Sequence, residues 1–242
     1  MTKSGRIHAI DEIRGFCIIC MVFYHLCFTL KFSYGVDIPI MFDGWFTAVQ
    51  QTFAGVFVLI SGAVCNLSSG NLRRGALCVF AAAAVSAVTA VAVPHAPVYF
   101  GILHCLGAGM LVYGVCGGFL RRLPVIPSAA VCAVLFAATY LVPREGVIGF
   151  PLLGAHLPDF LYETTLLMPL GIIPPSVSTI DYFPLVPWLF LFLLGTFAGV
   201  PLAASRKTHR MHCPPLAFVG RHSLAVYLAH QPIITAVLWL ML

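Results

Sequence analysis

Seven stretches of this chain are apolar over about the length needed to cross a lipid bilayer. A helix rises about 1.5 Å per residue, so roughly 20 residues cover the ~30 Å of hydrocarbon. The stretches run over residues 13–31, 48–67, 75–93, 99–119, 124–142, 184–203 and 217–241. The second is the weakest at its start, where Gln50 and Gln51 are polar. With 60% hydrophobic residues, 9% charged residues and a mean hydropathy of +0.99, the chain is not an ordinary soluble domain. The expected fold class is all-α: a polytopic membrane bundle of about seven transmembrane helices. No polar tract is long enough for a separate soluble domain, so residues 1–242 are expected to form a single transmembrane domain.

The basic residues set an orientation. With the N-terminus cytoplasmic, the inner side receives Lys3, Arg6, Arg14, Arg73, Arg74, Arg121, Arg122, Arg206, Lys207, Arg210 and Arg221, and the outer side only Lys31 and Arg144. Eleven against two obeys the positive-inside rule, and an odd number of spans puts the C-terminus outside. The net charge of +5 is therefore a matter of topology, not of nucleic acid, because the charges sit between apolar runs. The basic start and following apolar stretch have the outline of a signal peptide. No small-residue cleavage site follows, and a retained first span is expected. The Pro-rich segment from Pro143 to Pro184 contains a short apolar piece, Phe160 to Ile173, broken by Glu163 and Pro169. It reads as an interfacial or re-entrant element, with an eighth span as the other option.

Nine cysteines lie mostly inside the apolar runs, where a free thiol usually acts as a small hydrophobe. Cys17 and Cys20 form a C-x-x-C pair, but no Cys or His follows at metal-ligand spacing. The His209, His212 and Cys213 cluster sits in a basic loop and reads as a solvated surface. No metal is expected.

The chemistry is concentrated on the first span. Arg14 and His25 are eleven residues apart, which returns to within about 20° of the same helix face after a rise of about 16 Å. Asp11 falls near the same stripe. Ionisable groups at membrane depth are costly and usually face a bundle interior or a wet cavity. Arg14 near the inner surface suits phosphate oxygens, because its charge is permanent and its donors are forked. Imidazole at mid-depth suits proton transfer or attack on an acyl group. Asp11 orients Arg14 or caps the helix. Taken singly, Arg14 also reads as a snorkelling interfacial residue, and His25 as a hydrogen-bond tie to a neighbouring helix.

The last span adds Ser223, Tyr227 and His230 on one face by their i, i+4, i+7 spacing. If this span enters the membrane near Phe218, His230 lies about 16–18 Å up, near the depth of His25. Pro232 is expected to kink the helix and release a carbonyl, to which His230 is as apt to donate as it is to serve chemistry. Arg221 points away from His230 and reads as a cytoplasmic anchor. His104 opens the fourth span about 7–9 Å from the outer face, where it either meets an acceptor or is structural. Trp188 is expected at headgroup level, and Asp159, Glu163 and Asp181 are the outer-side acids.

Several blocks together resemble the heparan-alpha-glucosaminide N-acetyltransferase catalytic-domain family, within the transmembrane acyltransferases. They are Arg6-Ile7-His8-Ala9-Ile10-Asp11-Glu12-Ile13-Arg14-Gly15 leading to Met21 and His25, and Phe57 to Gly62 with Asn66-Leu67-Ser68. Gly101-Ile102-Leu103-His104-Cys105-Leu106-Gly107 and Phe183-Pro184-Leu185-Val186-Pro187-Trp188 follow. The last is Gly220-Arg221-His222-Ser223-Leu224, running into Tyr227, Leu228, His230 and Pro232. The resemblance implies transfer of an acetyl group from cytosolic acetyl-CoA to an acceptor on the far side of the membrane; the acceptor expected here is a hydroxyl or amine of a saccharide or envelope glycan, in the plasma (inner) membrane. The resemblance implies a catalytic role for His25, as base or transient acetyl carrier; His230 and His104 are further candidates by their positions, for orienting the acceptor or the oxyanion. On the cofactor side the resemblance implies Arg14; Asp11, Arg221 and Ser223 are added as candidates by their positions near that end of the spans. A homo-oligomer is compatible with this organisation. Two other function classes compete: a proton-coupled carrier with Asp11, His25 and His230 as a relay, and a scaffold whose histidines only tie helices together.

Overall fold

The structure, a computed structural model, describes residues 7–95, 97–150, 153–204 and 213–241. Lys3, Arg6, Arg206, Lys207 and Arg210 of the inner-side charge count, and His209 and His212 of the histidine–cysteine cluster, lie outside the described residues.

The chain is helical almost throughout. Its helices are α1 (His8–Tyr34), α2 (Gly44–Val64), α3 (Asn71–Ala92), α4 (Ile102–Leu120), α5 (Val125–Thr139), α6 (Val142–Glu145), α7 (Leu185–Ala204), α8 (Pro214–Arg221) and α9 (Ser223–Met241). Six segments are long and apolar enough to cross a membrane: α1, α2 with its extension to Leu67, α3, α4, α5 continued to Glu145, and α9. A shorter apolar helix, Leu185–Pro201 within α7, matches the remaining expected stretch. Large apolar side chains point outward along these helices, with Phe80 and Ile126 about four-fifths exposed (80% and 81%). Water would not tolerate so much bare hydrocarbon, and acyl chains favour it.

The segment between α5 and α7 forms no span-length helix. It holds α6, a small antiparallel pair β1 (Val147–Ile148) and β2 (Ala155–His156), and the 3-10 turns Asp159–Glu163 and Thr165–Leu170. Pro169 sits inside the second turn, and Gly171 ends it at φ 98°, a left-handed conformation that an L side chain rarely adopts. The Tyr182 hydroxyl donates to the Met168 carbonyl, and burial pushes its phenol pKa up, so it stays a donor. The backbone of α7 leaves helical geometry at Val186, and the Val186–Pro187 peptide is cis. Trp188, expected at headgroup level, is buried against Phe136, Tyr140 and Phe183.

The described residues fall into two compact units, Met1–Ile60 with Ser205–Leu242, and Ser61–Ala204. In the first, α1 packs on α8 and α9. Glycines permit the α1–α8 contact. A Cβ on Gly15 would land on the Leu216 carbonyl, and one on Gly220 on the Asp11 carbonyl, so the backbones touch. The expected last span over 217–241 is corrected here. The helix breaks at His222, whose φ of −103° and ψ of 21° separate α8 from α9. Leu216 meets Gly15 and Gly220 meets Asp11, so α8 runs antiparallel along the start of α1, and the chain must turn before α9 can rise. His230 therefore stands seven residues, about 10 Å, along α9 from Ser223, not about 16–18 Å from Phe218.

In the second unit α3 packs on α4, and α7 packs on α4 and α5. Polar side chains there serve the backbone. Asn66 donates to the Thr196 carbonyl (2.6 Å) and accepts from the Tyr113 hydroxyl (2.8 Å). Asn71 donates to the carbonyls of Cys65 (2.9 Å) and Ser68 (3.0 Å). Ser86 donates to the Val98 carbonyl (2.6 Å).

Candidate functional site

The first turns of α1 bring Arg14 to Ser223. Arg14 donates through Nη2 to the Ser223 hydroxyl at 2.8 Å, across 209 positions of sequence. Its guanidinium also lies 5.3 Å from the centroid of the Phe57 ring, a cation–π distance. Ser223 is buried and opens α9. A guanidinium and the positive end of a helix both favour an anion there. Asp11 is buried one turn below; the N-cap residue of α1 is Ile7, four residues before it. As a first-turn acid Asp11 suits the helix dipole. The carboxylate that does cap a helix is Glu12, which accepts from the Cys213 N–H at 3.1 Å, at the start of α8. Arg221 ends α8 and is exposed.

Farther along α1 the two mid-span histidines meet. The rings of His25 and His230 have centroids 4.8 Å apart and planes inclined by 56°. His230 is buried, and its Nδ1 bonds the Tyr227 carbonyl. A carbonyl can only accept, so Nδ1 carries the proton and Nε2 is the basic nitrogen. The expectation that His230 would donate to the carbonyl released by Pro232 needs correction. The missing N–H of Pro232 deprives the Leu228 carbonyl, whereas His230 uses that of Tyr227, one turn back on its own helix. Tyr227 and His230 rings also lie 5.4 Å apart, and Tyr24 stacks on Phe46 at 5.8 Å beside His25.

One turn beyond His25 lies a clip that the sequence reading missed. Buried Thr29 donates to the His25 carbonyl (2.9 Å), and the Gln231 Nε2 donates to the Thr29 hydroxyl (2.9 Å). The signal was present: a glutamine inside an apolar run, and a threonine four residues after a histidine. The clip ties α1 to α9 just past the imidazole pair. Arg14–Ser223, His25–His230 and Thr29–Gln231 thus follow one another along the same two helices, which run in the same direction.

His104 belongs to the other unit. It is half-buried and stacks on Phe100 at 5.3 Å, with the ring planes 21° apart. Phe100 (φ 56°) and Asp181 (φ 54°) both hold left-handed backbone, which costs free energy and is kept only where surroundings enforce it. The 97–101 and 179–183 segments supply that constraint through Ile180 N–H to Pro97 O (3.1 Å), Phe183 N–H to Phe100 O (3.0 Å) and Tyr99 N–H to Thr179 Oγ1 (2.8 Å). Among the described residues, no three His, Cys, Asp or Glu side chains gather as a metal-binding group.

A family model described as heparan-alpha-glucosaminide N-acetyltransferase, catalytic, matches residues 6–232, nearly the whole chain. The chain belongs to that family. Membership places it among membrane-embedded acyltransferases, in agreement with its apolar helices, and makes it an integral membrane protein. The matched range takes in every residue of the α1–α9 seam described above. No curated protein and no solved structure matches the chain.

Proposed function

We propose that residues 1–242 act as one acyltransferase domain that moves an acetyl group from cytosolic acetyl-CoA to a hydroxyl or amine of a glycan-like acceptor on the far side of the membrane. An envelope saccharide and the plasma (inner) membrane are the setting this reading assumes. The observation that carries it is the ordered seam on α1 and α9, with Arg14 and Ser223 at one end and the His25–His230 pair farther along. Arg14 binds phosphate of the donor, assisted by the Ser223 hydroxyl and the start of α9. Asp11 supports that end of the helix electrostatically, and exposed Arg221 adds attraction for an incoming anion.

In the direct course, His25 takes the proton of the acceptor O–H or N–H as that atom attacks the thioester carbonyl. The C–S bond breaks, and the proton passes on to the departing thiolate. In the two-step course, the imidazole attacks first, releases the thiol as an acetyl-imidazole forms, and then yields the acetyl group to the acceptor. His230 is the second base or an orienting donor. His104 is a candidate for orienting the acceptor, judged by the activity of His104→Ala.

The carrier reading has less support. Asp11 lies fourteen residues, about 21 Å, below His25 along α1, with the Arg14–Ser223 pair between. The deciding experiment incubates purified protein with acetyl-CoA and follows thiol release with and without candidate sugars. Acceptor-dependent release lost in a well-folded His25→Ala variant is the expected result. A protein that CoA does not stabilise thermally, and that takes up solute with a pH gradient, would be a carrier instead.

A further inference from the structure

The Gln231 side chain has a feature that the Arg14 and histidine chemistry leaves unused. The hydroxyl of Thr29 gives its proton to the His25 carbonyl, so toward Gln231 it can only accept. The Gln231 NH2 must therefore face Thr29, as found at 2.9 Å, and this settles which way the amide points. Its Oε1 is left buried without a protein partner among the described residues. A buried amide oxygen without a donor is costly, so its retention beside two histidines calls for an explanation.

Position supplies one. Along α1 the order is Arg14, His25, Thr29, and along α9 it is Ser223, His230, Gln231. The amide lies beyond the histidine pair on the side away from Arg14. If the acetyl donor enters at Arg14, the acceptor approaches from the Gln231 side. A glycan offers several O–H or N–H groups next to the one that is acetylated, and these can donate where the protein supplies no donor.

We propose that Gln231 is a specificity-determining residue whose Oε1 accepts a hydrogen bond from a polar hydrogen of the acetyl acceptor, adjacent to the group that receives the acetyl. The inference rests on the acetyltransferase reading above. It selects for acceptors with neighbouring polar hydrogens, such as vicinal diols or amino alcohols, over those with one isolated hydroxyl or amine.

The test measures steady-state acetylation of glucosamine by the full-length protein in detergent or nanodiscs, for wild type, Gln231→Met and Thr29→Val. Methionine keeps the length and volume but removes the oxygen. Loss of one neutral hydrogen bond raises the acceptor KM about five- to tenfold in Gln231→Met, with the acetyl-CoA KM within about twofold of wild type. Thr29→Val breaks the clip but keeps the Gln231 oxygen, so it lowers the melting temperature while changing the acceptor KM less. Deoxy-glucosamines lacking the neighbouring hydroxyl raise the KM of wild type but add nothing in Gln231→Met. An unchanged acceptor KM in Gln231→Met overturns the proposal. So does an equal rise in Thr29→Val, which would make the residue a structural tie. Absence of acetyl transfer by wild type to any sugar overturns the acetyltransferase reading itself, a result separate from either of these.

Discussion

Both compact units place polar side chains inside apolar helices, but they use them differently. In Ser61–Ala204, Asn66, Asn71 and Ser86 all donate to backbone carbonyls where helices end or loops cross. Each satisfies a group that lipid cannot. In the unit containing α1 and α9, polar side chains meet in succession along two helices: Arg14 with Ser223, His25 with His230, Thr29 with Gln231. Two imidazoles 4.8 Å apart are a different kind of contact, a pair of ionisable rings held side by side within apolar helices.

Substitutions can break that contrast. The largest effect is expected for His25→Ala, a loss of about 10²- to 10⁴-fold in turnover, with helical content by circular dichroism and melting temperature close to wild type. Loss of stability with turnover per folded molecule retained would move His25 into the structural class. Next comes Arg14→Gln, which removes a charged hydrogen-bonding group worth about 1.5–3 kcal/mol. Its acetyl-CoA KM is expected to rise roughly 10- to 100-fold while the acceptor KM stays put.

Asn66→Leu probes the other unit. It removes two hydrogen bonds, to Thr196 and from Tyr113, and is expected to cost about 2 kcal/mol of stability in chemical denaturation, with turnover unchanged. A fall in kcat instead would bring chemistry into Ser61–Ala204. The smallest effect belongs to Arg221→Ala. The side chain is exposed, so a two- to threefold rise in acetyl-CoA KM, about the size of a screened surface interaction, should vanish at high salt.

The membrane class and the order of the helices were legible because the need to exclude water from backbone groups writes itself into long apolar runs. Boundaries were less so. Nothing in Phe218-Val219-Gly220-Arg221-His222 reveals that a helix ends at Arg221 and another begins at Ser223, since the residues are compatible with either course. The break follows from Gly220 seating against the Asp11 carbonyl, a contact between distant parts of the chain. The Glu12–Cys213 contact is likewise between distant parts of the chain, and no local pattern announces it.

What the sequence determined alone was local: that this chain lives in lipid, and that Arg14 and His25 share a helix face eleven residues apart. Helical periodicity and the hydrocarbon thickness suffice for both. Which partners those residues meet was decided by tertiary structure. The polar stripe of α1 marks which side turns inward but not which helix it meets, and backbone approach at Gly15 and Gly220 selects that neighbour. The pairing of His25 with His230, and the amide of Gln231 beyond them, exist only once α9 lies along α1.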